Sequence, residues 1–101
     1  MKLHEIAHSR TGDKGNTSNV SVIAYRPEDY ERIKTEVTAE RVKAFFTGIV
    51  QGAVVRYELP EICALNFIMY EALGGGVTRS LALDAHGKAL GSALLNMEID
   101  G

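Results

Sequence analysis

From Ile62 to Tyr70 the chain carries no charged side chain, and Glu71 is the one charge before Leu73. Ile62, Leu65, Ile68, Met69 and Ala72 recur at helical spacing, while Cys63, Phe67 and Tyr70 lie off that stripe and are also apolar. A helix that is hydrophobic nearly all round must be buried on more than one side. The spacing predicts a helix over 62–73, and in so small a domain one flank of it is expected to meet another subunit. Asn66 carries the segment's one side chain with full hydrogen-bonding demand, so it is either satisfied in the core or turned toward a site.

The remaining chain is read around that segment. A length of 101 residues is one domain, which buries roughly two-thirds of its unfolded surface and supports a single core. Lys2 to His8 reads as a short strand. Val20, Val22 and Ala24 alternate with Ser21, Ile23 and Tyr25 as a strand largely buried on both faces. Pro27 suits a first helical position, and Glu28, Asp29 and Glu31 place negative charge at the positive end of the helix dipole. Tyr30, Ile33 and Val37 continue that helix, with a break expected near Val37. Thr38 is the N-cap of a second register, in which Val42, Phe45, Phe46 and Ile49 form one apolar stripe and Glu40 and Lys43 a solvated pair. Val55, Tyr57 and Leu59 alternate with Val54, Arg56 and Glu58 in a half-exposed strand that Pro60 ends. Val77–Leu83 reads as a strand, 84–87 as a hairpin turn, and Lys88–Ile99 as the last strand, with a bulge near Gly91. The implied order is β-β-α-β-α-β-β. Its fold class is α+β: a ferredoxin-like sandwich with two or three helices on one face of a mostly antiparallel four- to five-stranded sheet.

Two polar segments stand out against this frame. Ser9-Arg10-Thr11-Gly12-Asp13-Lys14-Gly15-Asn16-Thr17-Ser18-Asn19 is dense in groups that bind, and Gly74-Gly75-Gly76 leads into Thr78-Arg79-Ser80. The first is either a hairpin turn with Asp13 and Lys14 solvated or a ligand-binding loop. Its length favours the loop, since long loops in compact domains tend to carry function. Three glycines exceed what a helix C-cap requires and allow close approach of a ligand or another chain. Arg79 suits a bidentate grip on a carboxylate or phosphate, or equally an exposed ion pair.

Several chemistries are disfavoured. The net charge of −2 provides no basic field for nucleic acid or anionic membranes. One cysteine, Cys63, allows no internal disulfide; with no visible secretory signal and no apolar run of about 20 residues, the expected compartment is the cytoplasm. His4 and His8 on one strand would stand about 13 Å apart, too far to share a metal. Gly12-Asp13-Lys14-Gly15 lacks the order and following helix of a phosphate loop. His8 and Ser9 are adjacent, so on a strand they point apart, and no nucleophile elbow occurs. No metal and no cofactor is called for, and whether the chain is an enzyme stays open.

Taken together, Ser9–Asn16 followed by Asn19, Tyr57-Glu58-Leu59-Pro60, Ala64-Leu65-Asn66-Phe67 and Ala72-Leu73-Gly74-Gly75-Gly76-Val77-Thr78-Arg79-Ser80-Leu81 resemble the AtuA-like ferredoxin-fold domain. This is the C-terminal domain of the acyclic terpene utilisation AtuA family. The turn Asp84-Ala85-His86-Gly87-Lys88 fits too, and the resemblance covers essentially the whole chain. It implies breakdown of acyclic terpenes such as citronellol and geraniol, and of branched acids, through acyl-CoA intermediates. In that family the domain commonly follows a much larger N-terminal domain, so the chain is expected to act as a separate small subunit or a free-standing relative. No catalytic residue transfers by this resemblance. Ala82 departs from the pattern, where a basic residue is frequent, and this weakens ligand contact there.

The expected role is therefore a small subunit that joins a larger AtuA-type partner, its own copy, or both. Its two loops would lie side by side at one rim of the sheet and hold an acyl-CoA or another carboxylate-bearing metabolite. The expected ligand-binding residues are His8, Arg10, Asp13, Lys14, Asn16, Asn19, Asn66, Gly74, Gly75, Gly76, Thr78 and Arg79. Arg10, Lys14 and Arg79 would hold negative charge, and Asn16, Asn19 and Thr78 would supply oriented hydrogen bonds. Two rival readings are a stand-alone acyl-CoA hydrolase or lyase, with His8 as base and Asp13 orienting it, and a purely structural assembly module.

Overall fold

The segment rich in binding groups is strand rather than loop. In a computed structural model that describes residues 1–14, 17–72 and 89–100, β1 (Ala7–Lys14) and β2 (Thr17–Ala24) pair antiparallel. Their register runs from Ala7 opposite Ala24 to Lys14 opposite Thr17. The hairpin alternative is the one realised, which corrects the expectation of a long binding loop. Polar residues are compatible with a strand here because an antiparallel sheet needs only one dry face. In β2, Ser18, Val20, Val22 and Ala24 are buried, while Thr17, Asn19, Ser21 and Ile23 are partly or fully exposed. The expectation of burial on both faces is corrected accordingly. Nor does the first strand begin at Lys2: Leu3–Glu5 is a 3-10 turn that carries His4, and β1 starts at Ala7.

The charge-free segment is also strand, not helix. It forms the second half of a hairpin between β3 (Val54–Leu59) and β4 (Ala64–Met69). Pro60 opens a 3-10 turn over Pro60–Ile62, and Cys63 closes the connection in the left-handed region at φ 54°. The strand order is β1-β2-β4-β3, with every neighbouring pair antiparallel, so β4 is interior. That position accounts for its composition. Leu65, Phe67 and Met69 are fully buried against the helices, and Asn66 and Ile68 line the opposite face, half-buried between the neighbouring strands.

Helix α1 (Pro27–Glu36) starts at its proline and ends at Val37, and α2 (Ala39–Phe45) is capped by Thr38, whose Oγ1 accepts the Arg41 N–H at 3.1 Å. Phe46 and Val42 are buried, but Phe45 is 40% exposed and lies off the expected stripe. Lys43 reaches the Gly52 carbonyl rather than pairing with Glu40. The last expected strand is corrected as well: Ala89–Leu94 is a short helix, α3, packed on β1, and only Glu98 forms a bridge, with Lys2. Gly91 is no bulge, since a Cβ there would stand 2.3 Å from Thr11 Oγ1 and 2.8 Å from Ser9 Oγ. The glycine lets α3 approach the sheet. The expected strand over 77–83 and the turn over 84–87 lie outside the described residues. The element order is thus β-β-α-α-β-β-α among the described residues, and the fold class is the expected one, helices on one face of an antiparallel sheet. The core of Leu3, Val20, Val22, Ile33, Leu65, Phe67, Leu90 and Leu94 lies between the two layers.

Candidate functional site

Strand register decides which side chains share the face opposite the helices. Residues paired directly in antiparallel strands point the same way. Arg10 pairs with Ser21, Ser21 with Asn66, and Asn66 with Tyr57, so one row crosses all four strands: cation, hydroxyl, amide, phenol. The adjoining row is Gly12, Asn19, Ile68 and Val55. No helix of the described residues packs on this face.

The two rows are stitched by one amide. Asn66 Nδ2 donates to Asn19 Oδ1 at 2.5 Å and to Ser21 Oγ at 2.8 Å. Both of its N–H groups are thereby used, and its carbonyl oxygen remains as an acceptor on the face. Asn66 resolves the choice left open by the sequence: its N–H groups are satisfied by neighbours, and it lies beside the candidate site.

A cavity of about 620 Å³ opens on this face toward the hairpin end, lined by residues that include Arg10, Gly12, Asn19, Ser21, Ile68 and Tyr70. Gly12 contributes room, because a Cβ added there would meet nothing within 4 Å. Arg10 is exposed at the rim, Asn19 and Ser21 supply polar groups, and Ile68 with the 43% exposed Tyr70 forms an apolar wall. A single cation beside apolar and amide surface suits an anion with a hydrocarbon portion.

The expected site residues divide into four groups. Arg10, Asn19 and Asn66 come together on the open face. His8 also belongs to this face but at its other end, opposite Ile23, where its ring stacks on Tyr25 at 5.2 Å and 27°. Asp13 and Lys14 pair with Ser18 and Thr17 as the last residues of β1. Asn16, Gly74, Gly75, Gly76, Thr78 and Arg79 lie outside the described residues, and so does the expected junction of the two loops. Ser21, Ile68 and Tyr70 are additional residues of this candidate site, and the helical reading of 62–73 concealed the last two. Ser9 and His8 face opposite sides of β1, since their partners Val22 and Ile23 do. No nucleophile–base pair forms between them.

The fold shifts proton affinity at Tyr30 and Lys34, both on the helix side. Burial holds the Tyr30 phenol above its ordinary value, aided by the Glu58 charge and opposed by Lys34. Lys34 is raised by its hydrogen bond to Glu31, 3.1 Å away, and by that carboxylate's charge. Among the described residues no cluster of three or more His, Cys, Asp or Glu is placed to hold a metal, and no helix is long and apolar enough to cross a membrane.

Comparison with known proteins adds one finding. No curated protein and no solved structure matches the chain. A family model, the AtuA ferredoxin-like domain, matches residues 1–100. With nearly every residue matched and the expected α+β sandwich present, the chain belongs to the AtuA ferredoxin-like domain family.

Proposed function

We propose that this chain is an accessory binding domain that works with a larger AtuA-type partner in acyclic terpene or branched acyl-CoA catabolism. Its ligand is an anionic metabolite with a hydrocarbon portion, held on the open sheet face. The observation that carries this reading is the cavity in which Arg10 lies across Asn19 and Ser21 from an apolar wall of Ile68 and Tyr70, with Asn66 beside it bonded to both polar groups. Family membership supports the association with AtuA-type proteins. The site differs from the two-loop site expected from sequence, because its polar groups stand on paired strands.

Isothermal titration with octanoyl-coenzyme A and with octanoate tests the reading. Heat is expected with at least one of them. Arg10→Ala is expected to weaken binding about tenfold or more, since a charge-assisted hydrogen bond contributes roughly 1.5–3 kcal/mol when shielded and less at an exposed rim. An unchanged affinity in Arg10→Ala, or no heat with either compound, removes the proposal.

A further inference from the structure

Among the described residues β3 pairs with β4 on one side and with no strand on the other. An uncovered edge presents a row of N–H and C=O groups, and natural proteins commonly blunt such edges with charge. Here the charges alternate in sign. Arg56 and Glu58 flank Tyr57, and Val55 and Leu59 flank those in turn.

We propose that two copies of this chain associate through their β3 edges, antiparallel, about a two-fold axis at Tyr57. In that register Tyr57 meets Tyr57, Arg56 of each copy lies opposite Glu58 of the other, and Val55 lies opposite Leu59. Every opposed pair from Val55 to Leu59 is thus aromatic, oppositely charged or apolar, and such cross-strand pairs stabilise a sheet; the register ends there, where Val54 meets Pro60, which has no N–H to give. Moving the axis to Arg56 would oppose two arginines. Moving it to Glu58 would oppose two carboxylates.

The backbone is phased for the same register. The Ala53 carbonyl accepts the Tyr70 N–H at 3.0 Å, so Ala53 turns toward β4. Alternation along the strand then directs Val55, Tyr57 and Leu59 inward and Val54, Arg56 and Glu58 outward. Arg56 and Glu58 of opposite copies would therefore exchange backbone hydrogen bonds. Tyr57 would occupy the closer, non-hydrogen-bonded position, where Cα atoms approach to about 4.5 Å.

Tyr57, Glu58 and Leu59 are available for this, while Arg56 also holds its own chain, its Nη1 donating to the Lys34 and Val37 carbonyls at 2.6 and 3.0 Å and leaving Nη2 toward Glu58. Tyr57 is 53% and Leu59 36% exposed, and the Glu58 carboxylate is half-exposed at 3.2 Å from its own Arg56. A second Arg56 would complete that carboxylate from the other side. The contact is small, in the size range of transient interfaces, so a concentration-dependent monomer–dimer equilibrium is expected. This inference is independent of the ligand reading, because Tyr57 is not among the lining residues of the Arg10 cavity.

Sedimentation equilibrium of the full chain tests it. Wild type is expected to dimerise reversibly. Glu58→Pro is expected to weaken the dimer about thirtyfold with unchanged far-ultraviolet circular dichroism. Two outward hydrogen bonds are lost per dimer, each worth roughly a factor of five, while the inward bonds to β4 persist. Disulfide trapping in a Cys63→Ser background reads the register independently. Tyr57→Cys is expected to cross-link to itself on oxidation. Val55→Cys is expected to cross-link only when mixed with Leu59→Cys, because two Val55 positions would stand about 14 Å apart, beyond disulfide reach. A chain that stays monomeric at every concentration, a dimer that Glu58→Pro leaves intact, or a Val55→Cys variant that links to itself would each overturn the proposal.

Discussion

Tyr30 shows how one residue ties helix to sheet. Its hydroxyl, buried under α1, donates to the Ala64 carbonyl of β4 at 3.1 Å. Burial with the Glu58 charge raises its proton affinity, so the folded protein keeps the phenol proton to higher pH than the unfolded chain does. A raised value stabilises the fold fully below the unfolded pKa of about 10, and that stability is lost as pH climbs through the folded value. Lys34 acts in the same direction, because its affinity is raised by Glu31. Urea midpoints measured from neutral pH upward are therefore expected to fall above about pH 10. Tyr30→Phe should cost about 1 kcal/mol at neutral pH, the net worth of one hydrogen bond, and should fall less steeply in the alkaline range. An alkaline slope identical to wild type would show that the phenol is not the responsible group.

The elements differ in how much of them the sequence displays. The start of α1 at Pro27 and the Thr38 cap of α2 rest on local chemistry, a fixed φ and a hydroxyl acceptor, and both are legible from a few residues. The apolar run after Glu61 is not legible in that way. Periodicity does not separate a short buried strand from a buried helix, and the run is apolar on both faces because β4 is interior. Its length of nine uncharged residues, shorter than most helices, was the available signal, together with Pro60 and Glu71 as its bounds. Reading that strand as a helix removed Ile68 and Tyr70 from the candidate site and left Asn66 without its partners. In the first hairpin, Gly15-Asn16 is a dipeptide favoured between paired strands, and its polar flanks masked that sign. At the other end of the β3–β4 hairpin a tight backbone contact offers a test. A Cβ on Gly52 would stand 2.8 Å from the Tyr70 carbonyl oxygen, a backbone atom that has little room to yield. The Gly52 N–H also donates to that oxygen at 2.9 Å. Gly52→Ala is expected to destabilise the fold by about 1–3 kcal/mol in urea denaturation, the usual cost of overpacking. An alanine variant as stable as wild type would mean that the two strands separate there at little cost.

At the scale of the molecule, the proposed ligand site and the proposed dimer contact fall on opposite edges of the described sheet. Arg10 belongs to β1 and Tyr57 to β3, the outer strands of the described sheet, with β2 and β4 between them. At about 4.8 Å per strand, the two residues are separated by roughly 14 Å. A dimer joined through β3 would carry its two Arg10 sites at opposite outer edges, seven strand spacings or about 34 Å apart. That distance exceeds the Debye length of about 8 Å at physiological ionic strength several-fold, and no residue is shared between site and interface. Substitutions so separated act independently unless a two-state element couples them, and the sheet offers no such element. Octanoyl-coenzyme A is therefore expected to bind one molecule per chain without cooperativity, with an affinity that does not change as protein concentration carries the population from monomer to dimer. Glu58→Pro should leave that affinity within twofold of wild type, and Arg10→Ala should leave the dimer constant within the same range. An affinity that rises or falls with protein concentration would show by linkage that ligand and dimer share surface. The binding face would then have to extend across β4 to Tyr57, along the row that begins at Arg10.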